Sequence, residues 1–197
     1  MGAKQAKLQR YFIDAIQRNA DGEVNDYLKK YPELASAPLY NGKTNPICRA
    51  TCCGFRNIVM LLLEHGADIN ERSDDGRTPL MWAAIMGNLP MIDFLVEKGA
   101  QVDATDHNGF NALDNAAIRM NYKSAFHLYH GGHSFQFKSA DDYYKHMVRP
   151  DFDYDLFFTL IQAGERQEVP MDEFFERARR ENDEYMKKDL VVDTRES

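Results

Sequence analysis

Residues 75–100 read DGRTPLMWAAIMGNLPMIDFLVEKGA, and this stretch contains one helix start and two helix stops. Thr78-Pro79 is typical of a helix start, because proline is tolerated in the first helical turn, where its missing amide would have no partner. Gly87 and Gly99 are typical of helix ends, where glycine adopts a positive φ at little cost. The stretch therefore predicts two short helices, the second with an apolar face of Ile92, Leu95 and Val96.

The features of this stretch recur at a fixed period on both sides of it. The recurring positions are Pro46, Pro79 and Ala112; Ala50, Ala83 and Ala116; and Gly66, Gly99 and Gly132. A fixed period of this length indicates a repeat architecture. One unit of two short helices cannot bury its apolar face alone, so successive units must stack on each other. The sequence thus predicts an all-α solenoid of stacked antiparallel helix pairs.

The repeated unit resembles the ankyrin repeat, whose signature runs Gly-x-Thr-Pro-Leu-His-x-Ala-Ala, then Gly, then Val-x-x-Leu-Leu-x-x-Gly-Ala-Asp. Residues 60–70, Met-Leu-Leu-Leu-Glu-His-Gly-Ala-Asp-Ile-Asn, match the end of this signature almost without departure. The resemblance is strong over about 39–133 and weaker outside it. It implies an ankyrin-repeat solenoid whose function is to bind another protein, since this fold carries no activity of its own.

The resemblance implies a division of the chain into repeats and caps, with hairpin loops near 70–76 and 103–109. Residues 170–188 have an apolar face suited to closing the end of the stack. The expected units are a degenerate capping repeat over 1–38, three repeats over 39–73, 74–106 and 107–133, a divergent fourth repeat over 134–165, a capping helix over 166–188 and a disordered tail over 189–197.

The chain departs from the family pattern at residues that normally fix the hairpins. The histidine that follows Thr-Pro-Leu in the family is replaced by Cys48, Met81 and Asp114 in the three repeats. The third repeat also has Asn111-Ala112 in place of Thr-Pro, and Met120 in place of the loop glycine. Each lost hydrogen bond is worth about 1 kcal/mol net. The third and fourth units are therefore expected to be softer than the first two.

Composition and charge narrow the class of partner and the compartment. The 197-residue chain has a net charge of −7 and no clustered basic stretch, which argues against duplex nucleic acid as a partner. Its three cysteines lie close together in sequence, which does not suit a disulfide framework and favours an intracellular, cytoplasmic location, with nucleus, cilium and mitochondrion left open. No apolar run approaches the roughly 20 residues that span a bilayer, so no direct membrane insertion is expected.

The cysteines and histidines are the residues that most resemble a metal site. Cys48, Cys52 and Cys53 precede His65 in the sequence, but the repeat register places Cys48 in the core and His65 at the far end of the second helix, so four zinc ligands would not converge. His127, His130 and His133 are spaced by threes, and no carboxylate lies inside the cluster to orient their rings. Structural roles are favoured, and no metal is predicted.

No residues in the chain form a pattern typical of catalysis or of cofactor binding. Asp74-Asp75 and Asp141-Asp142 lie in predicted turns, where solvation would keep them from acting as general acids. We find no paired nucleophile and base, and no glycine-rich phosphate loop. No catalytic residue and no cofactor are therefore predicted, and the chain is expected not to be an enzyme.

Asn70 is the one candidate modification site. It ends a stretch, Leu62 to Asn70, that is similar to the loop sequence modified by asparaginyl hydroxylases in the ankyrin family. The alternative, which we favour, is that Asn70 only holds the hairpin through bonds from its side chain to the backbone.

The resemblance implies a concave groove, lined by the hairpin tips and the ends of the first helices, as the partner-binding surface. The helix ends that line this groove are unusually apolar, and Phe110 lies beside them. Because exposed apolar stripes promote aggregation, we expect another segment to cover this one. Trp82 is expected in the core between repeats. The predicted partner-binding residues are Cys52, Cys53, Asp74, Asp75, Arg77, Ile85, Met86, Asn108, Phe110, Ile118 and Arg119.

Two functions fit these residues: a reversible adaptor or inhibitor, and a permanent structural subunit of a large assembly. The groove would accept a helix or an extended segment of a partner protein. The alternative occupant is the chain's own tail, around Leu190-Val191-Val192. Outside a complex the chain is expected to be a monomer.

Overall fold

The computed structural model describes residues 2–37, 44–119 and 121–131. All of these residues belong to one compact unit, Met1–Gln136. The sequence-based expectations for 134–165, 166–188 and 189–197 lie outside the described residues.

The described residues form an all-α solenoid of stacked helix pairs, as the repeat pattern predicts. The first helices of successive pairs pack on one another, and so do the second helices of the first two pairs and those of the last two pairs. The helices are α1 Gly2–Gln17, α2 Asp21–Lys30, α3 Pro46–Cys52, α4 Arg56–Glu64, α5 Pro79–Ile85, α6 Leu89–Glu97, α7 Ala112–Ile118 and α8 Tyr122–His130, with a 3₁₀ turn at Pro32–Ala35. None of the helices in the described ranges combines the length and apolarity needed to cross a membrane.

Three residues at equivalent positions cap the first helices of the three central repeats. The side chains of Asn45, Thr78 and Asn111 each accept a hydrogen bond from the backbone N–H three residues later. A side-chain oxygen at this position satisfies one of the helix amides that has no intrahelical partner. The caps explain why α3, α5 and α7 all begin at the same point of the repeat.

Two of the residues that replace the family histidine form bonds of their own, so the expected loss of hairpin bonds is wrong for the first of the three repeats. The thiol of Cys48 lies 3.6 Å from the carbonyl oxygen of Glu71 and 3.7 Å from that of Arg77, at the base of the next hairpin. The carboxylate of Asp114 accepts the backbone N–H of Asn111 at 2.9 Å, while the Asn111 side chain accepts the N–H of Asp114. Cys48 thus contacts the next hairpin, whereas Asp114 closes the cap of its own helix.

Small residues let the first helices approach closely. Ala50, Ala83 and Ala116 are fully buried at equivalent positions of the three repeats. In the second helix of the central repeat, Ile92 and Leu95 are buried, whereas Val96 is exposed, so the expected apolar face is narrower by one residue. Trp82 is only partly buried, which corrects its expected place in the core between repeats.

Candidate protein-binding groove

Two hairpin turns lie beside the first helices, at the place where the family resemblance predicts a groove. In the turn 73–77 the backbone N–H of Ser73 donates to the carbonyl of Arg77 at 2.9 Å. In the turn 106–110, one repeat later, the N–H of Asp106 donates to the carbonyl of Phe110 at the same distance. We call the space between these turns and the C-terminal ends of α3, α5 and α7 the inner groove.

Side chains of the first helices reach the turns and fix their position. The indole N–H of Trp82 donates to the Ser73 hydroxyl at 3.3 Å. At the equivalent position of the next repeat, the side-chain amide of Asn115 donates to the Asp106 carboxylate at 3.2 Å. Helices α5 and α7 therefore each hold the turn of their own repeat, and positions 82 and 115 lie directly under these turns.

The turns also pack against each other. The backbone N–H of His107 donates to the carbonyl of Asp75 at 3.2 Å. Gly76, with a φ of +80°, lies so close that an added Cβ would stand 2.7 Å from the His107 backbone nitrogen. Arg72 donates to the carbonyl oxygens of Gly76 and Thr105. The wall of the groove is thus a continuous, hydrogen-bonded structure across two repeats.

Arg77 is the central cation of the groove, and its charge is used within the protein. Its guanidinium lies 5.4 Å from the centre of the Trp82 ring, a cation–π contact. It pairs with Asp75 at 2.6 Å, donates to the side-chain oxygen of Asn115 at 3.1 Å and lies 3.7 Å from the buried carboxylate of Asp106. Arg77 therefore ties the second repeat to the third.

The floor of the groove at the helix ends is less apolar than the sequence suggests. Met86 is 51% exposed, and Arg119 is also exposed. Ile85 and Phe110, by contrast, are each only 8% exposed and belong to the core. A large apolar side chain gains free energy by leaving water wherever a neighbouring repeat offers a surface. The exposed stripe consequently narrows to Met86, with Cys52, Cys53 and Ile118 partly buried beside it.

The remaining predicted residues lie at the tips and the bases of the turns. Asp74 and Asn108 are exposed at the two tips. Asn70 lies at the base, where its side-chain oxygen accepts the backbone N–H of Gln101 at 2.8 Å. Sequence reasoning proposed that Asn70 holds a single hairpin. In the structure its side chain instead bonds the backbone of the next repeat. Hydroxylation of Asn70 stays a prediction.

Burial disfavours the charged form of several ionisable groups near the groove. It raises the pKa of the Cys48 thiol, and the negative charge of Glu71 adds to the effect. Burial also raises the pKa of Cys52, with a smaller contribution from Cys53. The pKa of Glu71 is raised to about 7 by burial and by the nearby charge of Asp68. Protonated thiols are poor nucleophiles and poor metal ligands, so the raised pKa values of Cys48 and Cys52 disfavour such chemistry.

Among the described residues, the cysteines and histidines considered as metal ligands do not come together in one cluster, and two of the histidines bond other groups. Cys48 is buried, and the Nδ1 atom of His65 lies 2.8 Å from the carbonyl oxygen of Leu61. Over residues 2–37, 44–119 and 121–131 no three candidate ligands form a cluster. His127 pairs with Asp93 at 2.5 Å, a carboxylate from the preceding repeat. The carboxylate that orients His127 is not a sequence neighbour: Asp93 lies 34 residues earlier, about one repeat period away.

Trp82 contacts the turn 73–77 and is a position that sequence reasoning placed in the core instead. Arg49, Trp82 and Asn115 are spaced by one repeat period each and thus share one position of the repeat. The period that identified the repeats would have located this row, had it been applied to the polar residues as well as to the family signature.

Comparison with known proteins gives the same repeats. The family model described as "Ankyrin repeats (3 copies)" matches residues 12–106 and 47–138. A probable E3 ubiquitin-protein ligase of Oryza sativa subsp. japonica is 36% identical over 102 residues, which are 50% of this chain and 21% of the relative. Protein phosphatase 1 regulatory subunit 27 of Homo sapiens is 28% identical over 120 residues, 61% of this chain and 76% of the relative.

A bacterial relative is matched over nearly as many residues as the rice relative. A putative ankyrin repeat protein of Neisseria meningitidis is 33% identical over 90 residues, 46% of this chain and 32% of the relative. The chain thus spans about a fifth of the length of the rice relative and about a third of the bacterial one. The chain belongs to the ankyrin-repeat family, and its repeats form a protein–protein interaction module.

Proposed function

We propose that the chain is a non-catalytic adaptor or regulatory subunit that binds one protein partner reversibly in the inner groove. The observation that carries this proposal is the position of Met86. With Tyr11 it is one of the two most exposed large apolar side chains of the described residues, and it lies at the end of α5, one helical turn from Trp82. A flexible, polarisable side chain at the centre of a groove is suited to contact an apolar group of a partner.

A regulatory role is supported by the human relative, which is named as a regulatory subunit of protein phosphatase 1 and is matched over 76% of its length. The ligase activity named for the rice relative belongs to a protein of which the match covers only 21%. That activity is therefore not carried over to this chain. The free cysteines of the described repeats support an intracellular location for the proposed complex.

Reversible binding is favoured over permanent assembly by the distribution of apolar surface. Among the described residues, the exposed large apolar side chains are Tyr11, Met60, Met86 and Val96, which lie on or beside four different helices. Permanent interfaces are large and resemble a core cut in half, whereas transient ones are mostly polar around a small apolar centre. The groove fits the second description.

The experiment compares two substitutions of the same chemistry on opposite faces. Met86→Glu introduces a charge at the groove centre, and Met60→Glu introduces one on α4, in the layer of second helices, where the methionine is 40% exposed. Partners are captured from cell extract with each purified protein and quantified by mass spectrometry. Proteins held by the wild type and by Met60→Glu, but lost from Met86→Glu, support the groove. Equal capture by all three proteins, or loss only from Met60→Glu, contradicts it.

A further inference from the structure

The layer of second helices contains a cavity that is separate from the inner groove. It lies between α6 and α8 and has a volume of about 270 Å³. The side chains that line it include Ile92, Asp93, Val96, Glu97, His127 and Leu128. Pockets that bind small molecules usually measure roughly 300–1,000 Å³, so this cavity suits one inserted side chain better than a whole ligand.

The cavity combines buried and exposed apolar side chains. Ile92 and Leu128 are buried, whereas Val96 is 38% exposed. Val96 is thus one of the few large apolar side chains of the described residues that stay in contact with water. An aliphatic group laid against it would remove that surface from water, which stabilises a complex.

Two carboxylates of α6 lie on the same side of the cavity. Asp93 and Glu97 are four residues apart, so they share one face of the helix, with roughly 5–6 Å between their Cβ atoms. The Asp93 carboxylate lies 2.5 Å from Nε2 of His127 on α8. Glu97 is exposed and forms no ion pair with another described residue. Whether His127 is neutral or charged, the cavity therefore keeps a negative charge.

None of the described lysines and arginines lines this cavity. Arg56 and Lys98, which are near α6, lie 4.5 Å and 6.0 Å from the centre of the Phe94 ring, where they make cation–π contacts. Lys123 is in the first turn of α8, one turn before the residues that reach the cavity. The lysines of α2 belong to the first helix pair of the stack. The negative charge of the cavity is therefore local and does not depend on the charge of the whole layer.

We propose that this cavity is a second protein-binding site, which receives a lysine or arginine side chain of a partner. The aliphatic part of that side chain lies against Val96, and its cationic end pairs with Asp93 and Glu97. Long basic side chains are suited to such a site, because their stems are apolar and only their ends are charged. Hydrogen bonds between a cation and a carboxylate are roughly twice as strong as neutral ones.

This inference goes beyond the proposed function, because none of the residues that line the cavity belongs to the inner groove. A chain with both sites would hold one protein in the groove and a second one against α6 and α8. That arrangement would join two proteins, which is what an adaptor does.

The test uses a displayed library of short random peptides, selected on the full chain. Peptides that lose binding on Met86→Glu are set aside as binders of the inner groove, and the others are measured by fluorescence polarisation. We expect these others to share one Lys or Arg. Replacement of that residue by norleucine keeps an aliphatic stem but removes the charge, and should lower the affinity roughly two- to fivefold, as expected for exposed ion pairs.

The protein variants compare a carboxylate of the cavity with its counterpart one repeat earlier. Glu97→Gln should lower the affinity of the same peptides roughly two- to fivefold. Glu64→Gln is the matched control, since Glu64 ends α4 as Glu97 ends α6, and it should leave the affinity unchanged. Val96→Lys places a cation of the chain itself at the cavity and should weaken binding further. Circular dichroism confirms that each variant is folded.

The outcomes separate this inference from the proposed function. Loss of affinity on Glu97→Gln but not on Glu64→Gln, together with the norleucine effect, supports the cavity. The inference is overturned by peptides without a shared cation, by unchanged affinity for Glu97→Gln, or by equal losses in Glu97→Gln and Glu64→Gln. A selection in which every peptide depends on Met86 also overturns it. None of these results decides the role of the inner groove, which is judged by Met86→Glu alone.

Discussion

The side-chain oxygen of Asn70 accepts a hydrogen bond from the backbone N–H of Gln101 at 2.8 Å, and this bond joins the connecting segments of two successive repeats. Asn70→Ala removes the acceptor and should lower the free energy of unfolding by about 1 kcal/mol. Asn70→Asp keeps an oxygen at the same place and should lose less. Urea denaturation measures both, and equal losses in the two variants would show that the bond contributes nothing.

The same substitution should destabilise the protein at one of two neighbouring residues at the end of α5 and leave its stability nearly unchanged at the other. Ile85→Glu places a charge in the core and should lower the free energy of unfolding by on the order of 3 kcal/mol. Met86→Glu places it in water and should change that free energy by less than about 0.5 kcal/mol. Thermal denaturation followed by circular dichroism compares them. Two melting curves of equal midpoint would argue against the burial of Ile85.

Asp114 should stabilise the third repeat through its capping box with Asn111. Asp114→Ala leaves the N–H of Asn111 without this acceptor and removes a packed side chain that is fully buried. We expect a loss of roughly 1–2 kcal/mol in the free energy of unfolding. The matched control is Asp103→Ala, which removes an exposed carboxylate outside any helix. A loss for Asp114→Ala no greater than that for the control would contradict the capping role.

Glu71 should make stability depend on pH near neutrality. Its pKa is raised from an ordinary value of 4.5 to about 7, mainly by burial. A carboxyl group with a raised pKa in the folded state favours folding while it is protonated, so its contribution is full below about pH 4.5 and is lost as the pH rises through 7. The wild type should therefore lose stability relative to Glu71→Gln between pH 5 and pH 8. Melting temperatures across this range measure the difference, with the exposed Glu64→Gln as control; a constant difference would be the contrary result.

The repeat period was sufficient to predict the helix pairs, since each helix start and helix end follows from a local signal. The cap at Thr78 and the positive φ at Gly87 and Gly99 are such signals, because they depend on residues next to each other in the chain. The all-α solenoid and the ankyrin family are confirmed for that reason.

The fine structure of the groove could not be predicted in the same way. Whether an apolar side chain at a helix end is buried depends on the neighbouring repeat, so Ile85 and Met86 look alike in sequence but differ in exposure. The bonds of Arg77 with Asn115, and of Asn70 with Gln101, join residues of different repeats. Such contacts depend on how two repeats stack, which the pattern of a single repeat does not contain.

The central claim, that a partner lies in the inner groove, is tested most directly by the fluorescence of Trp82, the one tryptophan of the chain. Trp82 is partly exposed on the groove floor, so an occupant should cover it and move it away from water. The measurement is acrylamide quenching of its emission, with and without a saturating peptide that contains no tryptophan and was selected on the full chain. We predict a shift of the emission to shorter wavelength and a lower quenching constant in the complex. An emission maximum and a quenching constant that do not change at saturation would contradict the account.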